Sequence, residues 1–468
     1  MDTLLQNIQE VVGPNGLLTG SDVSQRSADW FGDARCEAAA IIRPASTQEL
    51  SAVMKLCHAA GQPVVTHGGV TGVVQGALAS TDELVISLER MNQIESLDPV
   101  GGLMIVQAGV PLQAVQESAE EVGLHFPLDL GARGSCTIGG NIATNAGGVR
   151  VIRFGMMRQQ VLGLEAVLAN GTIISSMNQM LKNNAGYDLK QLFIGSEGTL
   201  GIVTRAVLRL QPQLPCEQTA LVAVPGFDSL TRLLQQMGQQ LAGSLSAFEV
   251  MWHNHYDLMG RQSGRHTPPI APDYPFYAII ESLGVNDETD RELFNRALEQ
   301  AFEDGLICDA VLAQSDKQRE GIWAIREDIE GLIQELKPIL AFDISLPIPA
   351  MQQYVETLEA QLMERWPDTG RVTVFGHLGD GNLHLMLSIG SSDEESRHEV
   401  ERLVYEPLTE LGGSISAEHG IGLEKRDYLH LCRTPEEITL MRTLKQAMDP
   451  QNLLNRHKVL YQSAYQVV

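Results

Sequence analysis

Two histidines and a glutamate in the C-terminal third of the chain are the residues best suited to chemistry. His377 and His384 stand seven residues apart in Gly-His-Leu-Gly-Asp-Gly-Asn-Leu-His, and Glu418 follows in Ser-Ala-Glu-His-Gly-Ile-Gly. On one straight strand an odd spacing places two side chains on opposite faces. The turn signal Gly379-Asp380-Gly381 can nevertheless fold both imidazoles toward one point. Two histidines and one carboxylate leave coordination positions open, which is typical of a catalytic rather than a structural metal site.

His419 directly follows Glu418 and is a candidate general base. Adjacent side chains diverge, so if Glu418 faces a metal, His419 is aimed elsewhere, toward a substrate. Imidazole has its pKa near working pH and is the commonest general base. The alternative is a histidine that is merely hydrogen-bonded within a glycine-rich turn.

Three glycine clusters could hold a cofactor: 67–72, 131–148 and 195–201. Glycine lets the backbone approach a ligand closely, and consecutive N–H groups in such turns bind anions. The second cluster also carries small hydroxyl and amide side chains suited to a pyrophosphate or a heterocycle edge. Because the sequence contains no G-x-G-x-x-G fingerprint, a Rossmann NAD domain is not expected. Tight turns between strands are the alternative explanation of any single cluster.

Composition limits the possible functions. The chain has 468 residues, 33 Lys+Arg against 58 Asp+Glu, and a formal net charge of −25. This charge argues against sequence-independent binding to nucleic acid or to anionic lipid. We find no apolar run of the ~18 residues that a transmembrane helix needs and no secretory signal. The six cysteines are scattered, so we expect reduced thiols and a cytoplasmic location.

The order of predicted elements indicates an α+β protein. Short β-branched runs at 63–66, 84–88, 104–108, 161–168 and 201–210 predict strands. Beyond residue 211 amphipathic segments at 228–241, 287–303, 319–336 and 350–365 alternate with strands at 277–282 and 371–376, which predicts helices on a mostly antiparallel sheet. We place domains at 1–215, 216–415 and 416–468, the last a helical segment that returns to the first domain.

Four motifs together resemble a known family. The run from Asp129 to Met156 looks like the FAD-binding signature of vanillyl-alcohol-oxidase-type (PCMH-type) flavoproteins. The segments 182–203, 376–384 and 416–422 extend the likeness, so that nearly the whole chain resembles the FAD-dependent D-2-hydroxyacid dehydrogenases. This group includes D-2-hydroxyglutarate dehydrogenase, D-lactate dehydrogenase and the glycolate oxidase catalytic subunit.

The resemblance implies the fold and the cofactor. It implies a PCMH-type FAD-binding domain, an α+β substrate cap domain and a C-terminal helical segment. FAD is expected to be non-covalent, because His67 precedes the glycine pair rather than following it. The FAD-binding residues carried over are Gly68, Gly69, Val70, Thr71, Gly72, Pro127, Asp129, Gly134, Ser135, Thr137, Ile138, Gly139, Gly140, Asn141, Thr144, Asn145, Glu197, Gly198, Gly201, Ile202, Val203 and Asn455.

The resemblance also implies the chemistry. It makes Zn²⁺ the expected metal at His377, His384 and Glu418, although Fe²⁺ or Mn²⁺ also suits such ligands. His419 is expected to take the proton of the substrate's 2-hydroxyl while hydride passes from C2 to the flavin. Arg326 matches an arginine that binds a substrate carboxylate.

Departures from the family pattern concern FAD and substrate. Val70 stands where relatives carry Arg or Gly, and Arg456-His457 replace the usual Pro-Gly after Asn455. Three positions that are polar in hydroxyglutarate-oxidising relatives are Ala341 for Lys, Glu330 for a hydroxyl residue and Met386 for Asn. We therefore expect a D-2-hydroxy acid substrate, of either the D-lactate or the D-2-hydroxyglutarate type.

Two other classes of function remain open from the sequence alone. The chain could be a metal-dependent hydrolase or lyase whose glycine clusters are only turns, or a flavin-binding protein without turnover. For the dehydrogenase, the lack of an NAD motif implies a quinone or an electron-transfer flavoprotein as electron acceptor. Relatives suggest a homodimer.

Overall fold

The structure is a computed structural model and describes residues 1–30, 32 and 34–461. In these residues the α-helices are Asp2–Val12 (α1), Ser21–Ser24 (α2), Thr47–Ala60 (α3), Leu112–Glu120 (α4), Ile138–Thr144 (α5), Val151–Phe154 (α6), Met157–Gln160 (α7), Phe227–Gln240 (α8), His253–Asp257 (α9), Asp287–Glu303 (α10), Asp316–Glu327 (α11), Ile329–Leu336 (α12), Met351–Arg365 (α13), Glu394–Leu411 (α14) and Pro435–Met448 (α15).

The strands alternate with these helices along the chain. They are Leu17–Leu18 (β1), Ala40–Ile42 (β2), Val64–His67 (β3), Leu84–Ser87 (β4), Ile94–Asp98 (β5), Leu103–Gln107 (β6), Leu124–His125 (β7), Val161–Val167 (β8), Ile173–Ser176 (β9), Ile202–Arg209 (β10), Gln211–Pro212 (β11), Cys216–Val224 (β12), Leu245–Trp252 (β13), Phe276–Gly284 (β14), Asp309–Leu312 (β15), Leu340–Ser345 (β16), Arg371–His377 (β17) and Asn382–Ser388 (β18). All the predicted strands are confirmed.

The chain divides into two compact units. The first comprises Met1–Gly148, Gly155–Gln213 and the chain from Glu418 onward, and the second comprises Val149–Phe154 and Leu214–Ala417. No described helix combines the length and the hydropathy that crossing a membrane would require. The six cysteines all lie in described residues and are free thiols.

The first unit contains two main sheets. One has the strand order β1-β2-β4-β3, with β2 and β3 parallel to β4. The other is antiparallel, in the order β5-β6-β10-β8-β9. Alternate residues of β4 enter different apolar clusters, Leu84 and Ile86 with α3 on one face and Val85 on the other. The parallel strands of this sheet are thus buried on both faces. The last of them, β3, ends at His67, where the first glycine cluster begins.

Ser46 caps helix α3 at its N-terminus. The Ser46 hydroxyl accepts a hydrogen bond from Glu49 N at 3.1 Å, as in a capping box. The Glu49 carboxylate reaches one residue further, to Ala45 N at 2.8 Å. The helix ends at Gly61, whose φ of +63° suits glycine. Its apolar face then packs on β3 and β4.

The second unit is built on one antiparallel sheet of seven strands in the order β15-β12-β14-β13-β17-β18-β16. The mostly antiparallel sheet predicted from the sequence is thus confirmed. The predicted helix 319–336 is interrupted at Asp328. Its carboxylate caps α12 by accepting from Gly331 N at 2.8 Å, and it also pairs with Arg265 at 2.7 Å. These contacts favour a new helix start over continuation of α11.

Candidate functional site

The two candidate metal histidines lie on a β-hairpin. His377 ends β17, and His384 lies in β18 opposite Phe375. Gly381 closes the turn with a φ of +86°. The imidazole centroids are 5.3 Å apart, and the two Nε2 atoms are 3.4 Å apart. The turn therefore does bring the two rings together.

Each histidine has a buried carboxylate as its cross-strand neighbour. Glu249 in β13 lies opposite His377, and its Oε1 is 2.8 Å from His377 Nδ1. Asp343 in β16 lies opposite His384, with Oδ1 3.8 Å from His384 Nδ1. The 2.8 Å contact with Glu249 fixes the tautomer of His377 with the proton on Nδ1, so that Nε2 carries the lone pair that a metal would need. Sequence reasoning missed both carboxylates.

The Nε2 separation fits a metal site. Two ligands at ~2.05 Å from a tetrahedral Zn²⁺ are ~3.3 Å apart, and the two Nε2 atoms are 3.4 Å apart. The third candidate, Glu418, follows Ala417, the last residue of the second unit. The chemistry of this donor set suits a divalent transition metal.

Arg326, the predicted carboxylate-binding residue, is buried near the end of α11. Its Nε donates to Glu249 Oε2 at 2.9 Å, and its Nη2 lies 3.3 Å from His377 Nε2. Its guanidinium also lies 4.7 Å from the centre of the Phe375 ring. Glu249 thus contacts both Arg326 and His377, and two nitrogens of the guanidinium, Nε and Nη2, already have partners.

The segment that carries Glu418 and His419 is held at both ends by hydrogen bonds from its backbone N–H groups to side-chain carboxylates. Before it, Asp343 Oδ2 accepts from Ala417 N at 3.1 Å. After it, the Glu197 carboxylate accepts from Ile421 N and from Gly422 N, each at 2.8 Å. Glu197 is expected from the sequence to bind FAD, whereas its carboxylate is committed to this segment. His419 itself is half-buried.

The first two glycine clusters pack against each other in the first unit. A Cβ at Gly69 would lie 2.0 Å from Ser135 O, and one at Gly68 would lie 2.7 Å from Thr137 Oγ1. The buried hydroxyls of Thr137 and Thr66 have no hydrogen-bond partner among the described residues. Orphaned hydroxyls beside glycine backbone are what a bound phosphate-containing cofactor would satisfy. The residues present therefore fit FAD.

Two of the predicted FAD-binding residues also form hydrogen bonds with the local backbone. Thr144 Oγ1 donates to Gly140 O at 3.0 Å, and Asn145 Oδ1 accepts from Arg158 N at 2.9 Å. Asn145 also ends α5 in the left-handed conformation, with a φ of +50°. The side chains of Thr144 and Asn145 therefore help to fix the shape of this loop.

Asn455 ties three segments of the first unit together. Its Oδ1 accepts from Thr66 N at 2.9 Å, and its Nδ2 donates to Glu197 O at 2.6 Å. A Cβ at Gly198 would lie 2.8 Å from Asn455 Nδ2, which explains glycine there. Asn455 therefore joins the end of the chain to the first and third glycine clusters.

The other predicted FAD-binding residues also belong to the first unit. Asp129 pairs with Arg133 at 2.9 Å, and Asn141 Nδ2 lies 3.7 Å from Cys136 Sγ. Val70 has a φ of +53°, the conformation that glycine adopts easily. The remaining ones are Thr71 and Gly72 beside β3, Pro127 and Gly134 before α5, Ile138 and Gly139 within α5, and Gly201, Ile202 and Val203 at the start of β10.

The three residues that depart from the hydroxyglutarate pattern differ in their surroundings. Met386 and Ala341 are cross-strand neighbours, one row along the sheet from His384 and Asp343. Met386 is buried in an apolar cluster, and Ala341 is exposed. Glu330, in the first turn of α12, is exposed as well, so solvent weakens its repulsion of an anion.

Two family models match the chain. One, described as an FAD binding domain, matches residues 38–176. The other, described as the C-terminal domain of FAD linked oxidases, matches residues 215–459. The first covers two glycine clusters, and the second covers both histidines and Glu418.

Curated relatives match over nearly the whole chain. A probable D-2-hydroxyglutarate dehydrogenase, mitochondrial, of Oryza sativa subsp. indica is 39% identical over 97% of this chain and 81% of its own length. A D-2-hydroxyglutarate dehydrogenase of Xanthomonas citri pv. viticola is 39% identical over 98% and 97%. A putative mitochondrial D-lactate dehydrogenase of Schizosaccharomyces pombe is 36% identical over 97% and 89%.

Solved structures share the fold at low sequence identity. An alkyldihydroxyacetonephosphate synthase superposes with a TM-score of 0.76 at 16% identity, covering 98% of this chain and 85% of that one. A p-cresol methylhydroxylase superposes with a TM-score of 0.75 at 14% identity, covering 97% and 96%. The predicted PCMH-type α+β fold is thereby confirmed.

Proposed function

Because the chain belongs to the FAD-dependent D-2-hydroxyacid dehydrogenase family, we propose that it oxidises a D-2-hydroxy acid to the 2-keto acid. The observation that carries the proposal is the pair of facing imidazoles, each with a buried carboxylate on its Nδ1 side. Such a pair is built to hold an electrophile for a substrate oxygen, beside an arginine that can bind a carboxylate.

Bound FAD would supply the hydride acceptor for C2 of the substrate. The packed glycine clusters and the orphaned hydroxyls of Thr66 and Thr137 support its binding in the first unit. We propose that it is non-covalent. His67 is buried with Nε2 2.7 Å from Ala77 O, and burial lowers its pKa to about 4. A neutral imidazole committed to a carbonyl is poorly placed to carry a flavin.

A divalent metal, most simply Zn²⁺, would be held by His377, His384 and Glu418 and would supply a Lewis acid to substrate oxygen. His419 then removes the hydroxyl proton as general base. Arg326 binds the substrate carboxylate through guanidinium N–H groups other than the Nε engaged with Glu249.

The electron acceptor and the cellular setting complete the proposal. An electron-transfer flavoprotein or a quinone takes the electrons, since the sequence has no NAD fingerprint. A homodimer and a cytoplasmic location stay predictions, and several relatives carry the word mitochondrial in their names.

Anaerobic addition of a D-2-hydroxy acid to the purified holoprotein tests the function. Bleaching of the visible flavin band selects the dehydrogenase over a hydrolase, a lyase or a flavin protein without turnover. Protein without flavin, or flavin that no D-2-hydroxy acid reduces, would refute the proposal. Denaturation should release the flavin, and flavin retained on the polypeptide would refute non-covalent binding.

Two further measurements assign the metal and the base. Chelation should abolish turnover and leave the flavin bound, since the proposed metal and FAD residues lie on different segments. His419→Ala should slow flavin reduction by ~10²–10⁴ with metal and FAD retained. His398→Ala, an exposed histidine of α14, is the matched control. Loss of metal in His419→Ala would make His419 a ligand instead of a base.

A further inference from the structure

Asn382 is a buried amide on the face of the sheet that carries the histidines. It begins β18, and Asn382, His384 and Met386 alternate along that strand, so their side chains share one face. Its cross-strand partner is Ser345, two residues along β16 from Asp343. Asn382 therefore belongs to the row of side chains next to His384.

Both polar atoms of this amide are unsatisfied. Only 3% of Asn382 is exposed, and neither Oδ1 nor Nδ2 has a hydrogen-bond partner among the described residues. A buried amide without partners destabilises a fold, and the large majority of such groups are paired. An apolar side chain of similar size would fill the same space without this cost. The position thus lacks a structural reason for an amide.

The surrounding charges indicate what the amide would bind. Glu249, Asp343 and Asp380 are carboxyl groups near the two histidines. The guanidinium of Arg326 lies beside these carboxyl groups, and its Nε donates to Glu249. A 2-hydroxy acid brings a further carboxylate into this neighbourhood. Asn382 offers two N–H donors to that carboxylate without adding a charge of its own.

We infer that Asn382 is a further substrate-binding residue, whose Nδ2 donates a hydrogen bond to the carboxylate of the 2-hydroxy acid. The inference rests on the proposed function. It also extends to the product, because the 2-keto acid retains the carboxylate. The affinities for substrate and for product should therefore both depend on Asn382. An interaction of this kind stabilises the ground state and the transition state equally, so its loss raises KM and leaves kcat nearly unchanged.

Asn382→Leu tests the inference in the holoenzyme. We expect KM for the D-2-hydroxy acid, and the inhibition constant of the 2-keto product, both to rise ~10- to 100-fold, with kcat within a few-fold of wild type. Metal content should be unchanged. The thermal midpoint should be equal to or above that of wild type, because removing an unpaired buried amide costs no hydrogen bond.

A matched control lies in the same sheet. Thr219 in β12 is also buried with an unpaired hydroxyl, and Thr219→Val should leave KM unchanged. If Asn382→Leu does not fold, Asn382→Ser is the second variant: serine is too short to donate to the substrate, and although the smaller side chain leaves a cavity, KM, the inhibition constant and the metal content remain the readouts.

Each other outcome overturns the inference. A lower thermal midpoint with unchanged KM makes Asn382 structural, and loss of metal makes it a ligand. A fall in kcat alone places it at the reacting atoms rather than at the carboxylate. Failure of the wild-type flavin to be reduced by any D-2-hydroxy acid refutes the proposed function itself, whatever the variants do.

Discussion

Glu249 and His377 face each other across two antiparallel strands and are joined by a 2.8 Å contact between Oε1 and Nδ1. The second carboxylate oxygen, Oε2, accepts from Arg326 Nε at 2.9 Å. One buried carboxylate therefore orients a candidate metal ligand and a candidate substrate-binding residue at once. Its negative charge also balances the buried guanidinium, which needs a partner away from water.

Glu249→Gln should weaken metal binding about 10- to 100-fold, as loss of a carboxylate behind a ligand histidine does. In the structure His377 contacts Oε1 and Arg326 contacts Oε2, and a glutamine would place an NH2 donor at one of these two positions, so that one of the partners loses its acceptor. The measurement is metal retained after dialysis against a graded series of chelator concentrations. Glu281→Gln, a buried glutamate of β14 paired with Arg150 at 3.0 Å, is the control and should retain metal. Equal retention in both variants would contradict the assigned role.

The sequence predicts the elements and the local motifs of this site better than its long-range contacts. The turn at Gly381 and the two histidines lie within one hairpin, so the turn signal between them could indicate that they meet. Glu249 is 128 residues before His377, and only strand pairing joins them. The available signal is a single carboxylate in a strand whose other residues, apart from Ser246, are apolar: Leu-Ser-Ala-Phe-Glu-Val-Met-Trp. A buried acid at such a position requires a partner.

The glycine clusters also show what the sequence alone cannot predict. Their positions indicate a cofactor loop, but which side chains contact the cofactor depends on bonds within the loop. The Thr144 hydroxyl donates to Gly140 O, and Asn145 Oδ1 accepts from Arg158 N. The same residue types, such as Thr and Asn, can bind a ligand or stabilise a turn. The sequence alone therefore does not distinguish these two roles.

Glu197→Gln should slow flavin reduction while FAD stays bound. The carboxylate of Glu197 accepts from two backbone N–H groups, those of Ile421 and Gly422. A glutamine satisfies one and leaves the other unpaired, which costs about 1–3 kcal/mol and loosens the segment after His419. We expect about a 10-fold lower rate of flavin reduction at saturating substrate. Flavin loss with an unchanged rate per bound flavin would show that Glu197 serves FAD instead.

His67 should make the first unit sensitive to acid. Burial lowers its pKa to about 4, whereas an unfolded histidine titrates near 6.5. The folded state therefore binds fewer protons between these values, and stability is full above pH 6.5 and falls as the pH drops toward 4. Between pH 6.5 and pH 4 the wild-type protein should lose on the order of 3 kcal/mol in free energy of unfolding because of His67, and His67→Gln should remove this loss. The measurement is urea unfolding of the first unit at a series of pH values. An unchanged pH profile would mean that His67 is protonated in the fold.

Val70→Gly should stabilise the protein. A β-branched residue at a φ of +53° is strained by ~1–3 kcal/mol, and glycine removes that strain at an entropic cost of ~0.5–1 kcal/mol. We expect the free energy of unfolding of the holoprotein to rise by about 1 kcal/mol, seen as a higher denaturant midpoint, with FAD retained. Val100→Gly is the control, an exposed turn residue outside the positive-φ group, and it should give no gain. A loss of FAD in Val70→Gly would show that the valine side chain contacts the cofactor.

Substrate preference should follow the row that holds Ala341 and Met386. This row lies on the histidine face of the sheet, about 6.6 Å along the strands from His384. It offers a methyl group and an apolar side chain where a second carboxylate would need a cation, so a distal carboxylate there is stabilised little. We expect kcat/KM for D-lactate or D-2-hydroxybutyrate to equal or exceed that for D-2-hydroxyglutarate. Ala341→Lys should shift the ratio toward the dicarboxylate about 10-fold, the effect of a charge-assisted hydrogen bond, whereas Ala341→Met, of similar length without charge, should not. A wild-type preference for D-2-hydroxyglutarate would mean that another cation, such as the exposed Lys337, reaches this row.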